Sequence, residues 1–162
     1  MEDFGRLFTL GCNTQMPETF KHTRRIEFRD TDMAGIVHFS NFFAYMEQAE
    51  HAFLRSIGLG VICTIDGQEI SWPRVNANCN YRQAIKFEEM IDIEVSVARI
   101  GTKSITYDFQ FSREETTVAD GSITVVCCKF EHGKKPESVP IPEGFIKKVR
   151  PFLKDLPSTE AS

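Results

Sequence analysis

One short stretch of this 162-residue chain gathers two acids, a glycine and a histidine: Asp30-Thr31-Asp32-Met33-Ala34-Gly35-Ile36-Val37-His38-Phe39-Ser40-Asn41. A carboxylate can attack an acyl carbonyl or activate a water against it. Residues 42–58, FFAYMEQAEHAFLRSIG, follow directly, with Phe42, Tyr45, Met46, Ala49, Phe53 and Ile57 at steps of three and four. That spacing predicts a helix with one apolar stripe. A helix start carries unpaired N–H groups and partial positive charge, which can stabilise an oxyanion forming on a carbonyl. A loop acid beside a helix start suits acyl transfer or hydrolysis. On spacing alone, Asp30 and Asp32 could equally be turn formers.

Other chemistries fit the loop poorly. Asp30, Asp32 and Gly35 occupy positions 1, 3 and 6 of a calcium-binding EF-hand loop. Position 5 is then Ala34, with no ligating atom, and position 12 is Asn41, where a bidentate Glu is required. No GxxxxGK[ST] phosphate loop occurs. The five cysteines, 12, 63, 79, 127 and 128, form no CxxC pair and no disulfide or zinc framework, which points to a reducing, cytoplasmic setting. The net charge of −4, with no long basic run, argues against a nucleic-acid partner. The first twenty residues lack the basic start and apolar core of a signal peptide, and no apolar run reaches membrane-span length.

The elements that would position the loop follow from pattern. The length suits one domain, able to bury roughly 70% of its unfolded surface without disulfides or metal. We expect an extension over 1–21, a domain over 22–153 and a tail over 154–162. Residues 22–30 alternate and predict a strand carrying Ile26 and Phe28 on one side. Ser40 or Asn41 can cap the helix, and Gly58 suits its left-handed end. Residues 59–69 read as a connection. Strands are expected over 71–83, 89–100, 103–113 and 116–132, the first near a sheet edge because of Pro73. Asp120-Gly121 suggests an irregularity in the last. Residues 143–153 suggest a short terminal helix. A strand, a long helix and then four strands joined by tight turns predict an antiparallel sheet packed on one helix, an α+β domain. Fourteen Phe suit core packing or a partly aromatic ligand pocket.

The segment RIEFRDTDMAGIVHFSNFFAYMEQAEHAFLRSIGL, residues 25–59, resembles the start of the 4-hydroxybenzoyl-CoA thioesterase family of hotdog proteins. Its F-x-D-x-D-x-x-G-x-V run is carried by Phe28, Asp30, Asp32, Gly35 and Val37, and the acidic residue of the aromatic-rich helix is Glu47. The resemblance extends over roughly residues 22–132. It implies a hotdog fold, an antiparallel sheet wrapped around one long central helix. It also implies hydrolysis of an acyl-CoA to acid and CoA, with no metal or redox cofactor.

By the same resemblance Asp32 is the catalytic carboxylate, as nucleophile or general base. The oxyanion donor is the backbone N–H at about Phe39, and Gly35 lets the loop backbone approach the thioester. His38 stands one position before the histidine of some relatives. It is either a polar loop residue or a proton shuttle. Glu47 either orients the attacking water or pairs across a subunit contact. Lys103 and Ser104 match a stretch that contacts CoA in relatives; Arg74, Arg82, Lys86 and Arg99 are further cations for its phosphates. Homodimers or homotetramers with sites at the subunit contact are implied. The acyl group is aromatic by family name, with fatty, short and 1,4-dihydroxy-2-naphthoyl groups as alternatives. A hotdog dehydratase and a non-catalytic acyl-CoA-binding protein are the rival readings.

Overall fold

A computed structural model describes residues 16–154; the sequence expectations for residues 1–15 and 155–162 fall outside it. Strand β1 (Phe20–Arg25) pairs antiparallel with β5 (Met90–Ile100), which pairs with β6 (Ser104–Arg113); β6 pairs with β7 (Thr116–Val126) and β7 with β4 (Arg74–Tyr81). The sheet order is therefore β1-β5-β6-β7-β4. One face of it is apolar because alternate residues point one way. Ile91, Ile93, Val95 and Val97, then Ile105, Tyr107, Phe109 and Phe111, are all buried.

Helix α1 (Asn41–Ser56) lays its stripe on that face. Phe42 meets Phe111 edge-on at 5.4 Å, and Phe53 meets Tyr107 at 6.1 Å. Between them Met46 presses on Gly121, where an added Cβ would lie 2.9 Å from the Met46 sulfur and 2.5 Å from the Asn78 carbonyl oxygen. Only a glycine lets helix, β7 and β4 meet there. The helix ends at Gly58, φ +70°, with the Leu59 N–H donating to the Leu54 carbonyl.

Several expectations need correction. The first strand begins at Phe20 and stops at Arg25, and Phe28–Asp30 is a turn of 3₁₀ helix. Ile26 is fully buried while Phe28 is 76% exposed, so the two do not share a face. The connection over 59–69 contains a hairpin, β2 (Ile62–Ile65) and β3 (Gln68–Ser71), turning at Asp66-Gly67 with φ +50° and +75°. It joins a small sheet with β8 (Cys128–Lys129) and β9 (Glu137–Ser138). The register of β7 shifts opposite Phe111 and Ser112, at Val118; Asp120 and Gly121 stay paired with Gln110 and Phe109. A second helix, α2 (Glu143–Val149), packs through buried Phe145, whose ring lies tilted against that of Trp72 at 4.4 Å.

Candidate active site

The loop between β1 and α1 hangs on Asp30. Its buried carboxylate accepts from the Arg24 guanidinium at 2.9 Å and the Glu27 N–H at 3.1 Å. Its carbonyl accepts from the His38 N–H at 2.9 Å and the Asn41 side-chain amide at 2.7 Å. Arg24 is held in turn by Gln48 and lies 3.8 Å over the centre of the Tyr45 ring. Strand, loop and helix are thus tied through one side chain.

Asp32 is placed otherwise. It is exposed, and Oδ1 accepts from the Ala34 N–H at 2.8 Å in a tight turn closed by Gly35, φ +74°. Oδ2 has no hydrogen-bond partner among the described residues. Asp32 borders a cleft of about 290 Å³. Phe39, Phe42, Ile36 and Val37 form one wall; Tyr81, Arg82, Gln83, Ala84 and Ile85, the segment leaving β4, form the other. Most of this lining is apolar, as a site for an acyl group requires.

At the helix start beside the cleft, the His38 N–H goes to Asp30, the His38 carbonyl accepts from the Asn41 N–H at 2.9 Å, and the Phe39 carbonyl accepts from the Tyr81 hydroxyl at 3.1 Å. The Ser40 N–H approaches His38 Nδ1 at 3.4 Å. The Phe39 N–H finds no acceptor among the described residues. The cap expected of Ser40 or Asn41 is not made: Ser40 has helical φ and ψ (−69°, −23°) and no side-chain cap bond. The Ser40 hydroxyl pairs with His38 Nδ1 at 2.8 Å, and the Asn41 amide turns back to Asp30. Both fasten the loop instead.

The other candidates scatter. Asp32, Gly35 and Phe39 share the loop; His38 is exposed with its ring against that of Phe39, 4.6 Å between centroids, and is not part of the cleft lining. Glu47 lies along the helix, 3.4 Å from Arg74 and 3.8 Å from His51. Lys103 donates to the Ser138 carbonyl at 3.2 Å, and Ser104 starts β6, at the far end of that strand from Phe111. The strand rise puts Ser104 roughly 24 Å from Phe111. Neither residue reaches this chain's own cleft. Of the suggested cations, Arg82 borders the cleft but is paired with Asp120, and Arg74 is held by Glu50 at 2.9 Å.

Two residues escaped the sequence reading. Tyr81 bridges to Phe39 across 42 positions, a link no local pattern signals. Glu50 is 2% exposed, and burial lifts its carboxyl from 4.5 to about 7 against the pull of Arg74. Its place four residues after Met46 on the apolar stripe was the available signal.

A family model, the thioesterase-like superfamily, matches residues 26–149. The chain belongs to the thioesterase-like superfamily. It is accordingly a hotdog-fold thioester hydrolase. A protein of Aquifex aeolicus (strain VF5) that carries an esterase name is 31% identical over 137 residues, 84% of this chain and 98% of that one. A 1,4-dihydroxy-2-naphthoyl-CoA hydrolase of Trichodesmium erythraeum (strain IMS101) is 28% identical over 97 residues, 60% of this chain and 70% of that one. The solved structure of a gentisyl-coenzyme A thioesterase is 29% identical with a TM-score of 0.68, covering 78% of this chain and 98% of that one.

Proposed function

We propose that this thioesterase hydrolyses an acyl-CoA with Asp32 as its catalytic carboxylate. The observation that carries the reading is an exposed acid bordering an apolar cleft beside the Phe39 N–H, with one acid oxygen and that N–H both without a partner among the described residues. The thioester carbonyl oxygen faces the Phe39 N–H, which stabilises the charge that forms there. Asp32 either attacks the carbonyl carbon, giving a mixed anhydride that water then opens, or takes a proton from the attacking water. Either route breaks the C–S bond and releases CoA thiolate and the free acid, with no further cofactor. Phe39, Phe42 and Tyr81 around the cleft favour an aromatic acyl group. Free thiols at Cys63, Cys79, Cys127 and Cys128 support a reducing, cytoplasmic setting.

The same reading includes a homodimer. β4 lies at the sheet edge with its outer side unpaired among the described residues and most of its residues exposed, Val75 at 61% among them. Such an edge is a template for a second strand. Full-length antiparallel pairing with a second copy sets Arg74 opposite that copy's Tyr81. Glu47 and Lys103-Ser104 lie at the Arg74 end, through the Arg74 contact and the Ser104–Val126 pairing. They would serve the neighbour's cleft, Lys103 and Ser104 toward CoA. We also read the sheet as curving around α1 along its length.

The test is release of free thiol from aromatic and aliphatic acyl-CoAs. Wild type should turn over at least one aromatic thioester, and Asp32→Asn should lose about a hundredfold or more. Full activity in the variant would remove Asp32 from the mechanism. Inactivity of the wild type across the panel would remove the acyl-CoA reading.

A further inference from the structure

We infer that Tyr81 is a positioning residue for hydrolysis, holding the Phe39 peptide so that its N–H meets the thioester oxygen; the inference rests on the reading of Phe39 above. The side chain of Phe39 is 59% exposed, so packing alone does little to fix this residue. Hydrogen bonds do it instead. On the N-terminal side, the Asn41 N–H binds the His38 carbonyl and so sets the plane of the amide that carries the Phe39 N–H. A trans amide points its N–H opposite to its carbonyl. On the C-terminal side, the Tyr81 hydroxyl is the one group seen to bind the Phe39 carbonyl among the described residues.

The phenol is itself braced. Its ring meets Phe42 edge-on at 5.0 Å, and buried Phe42 meets Phe111 of β6 at 5.4 Å. Tyr81 is also the last residue of β4, paired with Ala119. A continuous packed path therefore runs from the sheet, through Phe111, Phe42 and Tyr81, to the peptide beside the substrate. Burial and the neighbouring Cys79 raise the phenol above its ordinary value, so it stays protonated and donating at neutral pH. Preorganised donors act without reorganising during the reaction, and small misplacements cost rate.

Tyr81→Phe deletes the hydroxyl and keeps the ring. The expected result is a fall in kcat of about tenfold, the scale of one lost hydrogen bond, with KM changed by less than about twofold. The second readout is the infrared carbonyl band of a thioester labelled with ¹³C, bound to the inactive Asp32→Asn chain. Hydrogen bonding from Phe39 should lower that band, and Tyr81→Phe in the same background should return part of the shift. An equal band with and without the hydroxyl, or a loss lying wholly in KM, overturns the role of Tyr81 alone. A band unshifted with Tyr81 in place overturns the oxyanion reading at Phe39 and this inference with it.

Discussion

The start and the middle of α1 treat a carboxylate in opposite ways. At the start, Asp32 is exposed, and among the described residues neither its Oδ2 nor the Phe39 N–H of the same loop has a partner. In the middle, Glu50 is buried, and Arg74 donates to it at 2.9 Å. The first acid is arranged to meet something from outside; the second is arranged to be satisfied from within. Substituting each should separate them on activity, with turnover falling in Asp32→Asn and holding within about threefold in Glu50→Gln. Asp30, two residues from Asp32, is used differently again: it is buried and bound to Arg24. Its Oδ2, its N–H and its carbonyl all hold the loop.

The largest stability effect is expected where the loop is anchored. Arg24→Met leaves the buried Asp30 carboxylate without its cation and removes the group lying over Tyr45. Breaking a buried pair by removing one partner costs about 3–5 kcal/mol. Urea unfolding should show it. A change below about 1 kcal/mol would class the pair with surface bridges and leave the loop's order without its proposed anchor.

How much of this was legible in the sequence depended on whether a signal was local. Strands β5 and β6 were legible because alternation over ten residues or so reports burial on one face, and α1 because its stripe repeats through four turns. The dipeptide Asp-Gly occurs twice and shows the limit. At Asp66-Gly67 it makes the β2–β3 turn; at Asp120-Gly121 it lies inside a paired strand, where the glycine makes room for Met46. Local chemistry is the same in both, and only the helix packed against the second decides. Likewise Asp32 drew attention by its motif, whereas Tyr81 did not, since its partner lies on a different element. Glu47 drew attention by motif, yet the helix turns the neighbouring acid, Glu50, into the core.

The middle of the helix should reveal itself through pH. Burial lifts Glu50 from 4.5 to about 7. Between those values the folded chain keeps a proton that the unfolded chain has released. Stability therefore falls as pH rises through that window. At about 1.4 kcal/mol per pH unit the loss is roughly 3 kcal/mol. Glu50→Gln should abolish most of this slope. Unfolding followed at pH 5 and pH 8 measures it as the difference between wild type and variant. Equal slopes would mean that Arg74 keeps Glu50 ionised throughout, making the middle of the helix a conventional ion pair.

The smallest effect is expected at the helix start and tests whether its amides are free. A serine that caps a helix loses about 1 kcal/mol on replacement by alanine. Ser40 stands at the cap position but makes no such bond; its hydroxyl goes to His38 Nδ1 on the exposed side of the loop. Ser40→Ala should therefore cost less than about 0.5 kcal/mol, the range of ordinary surface changes, and leave kcat within about twofold. A loss of the full capping value would show that the hydroxyl binds the first turn in solution. The helix start would then be satisfied by a side chain, as the middle is, and the difference between the two regions would narrow to the loop N–H of Phe39.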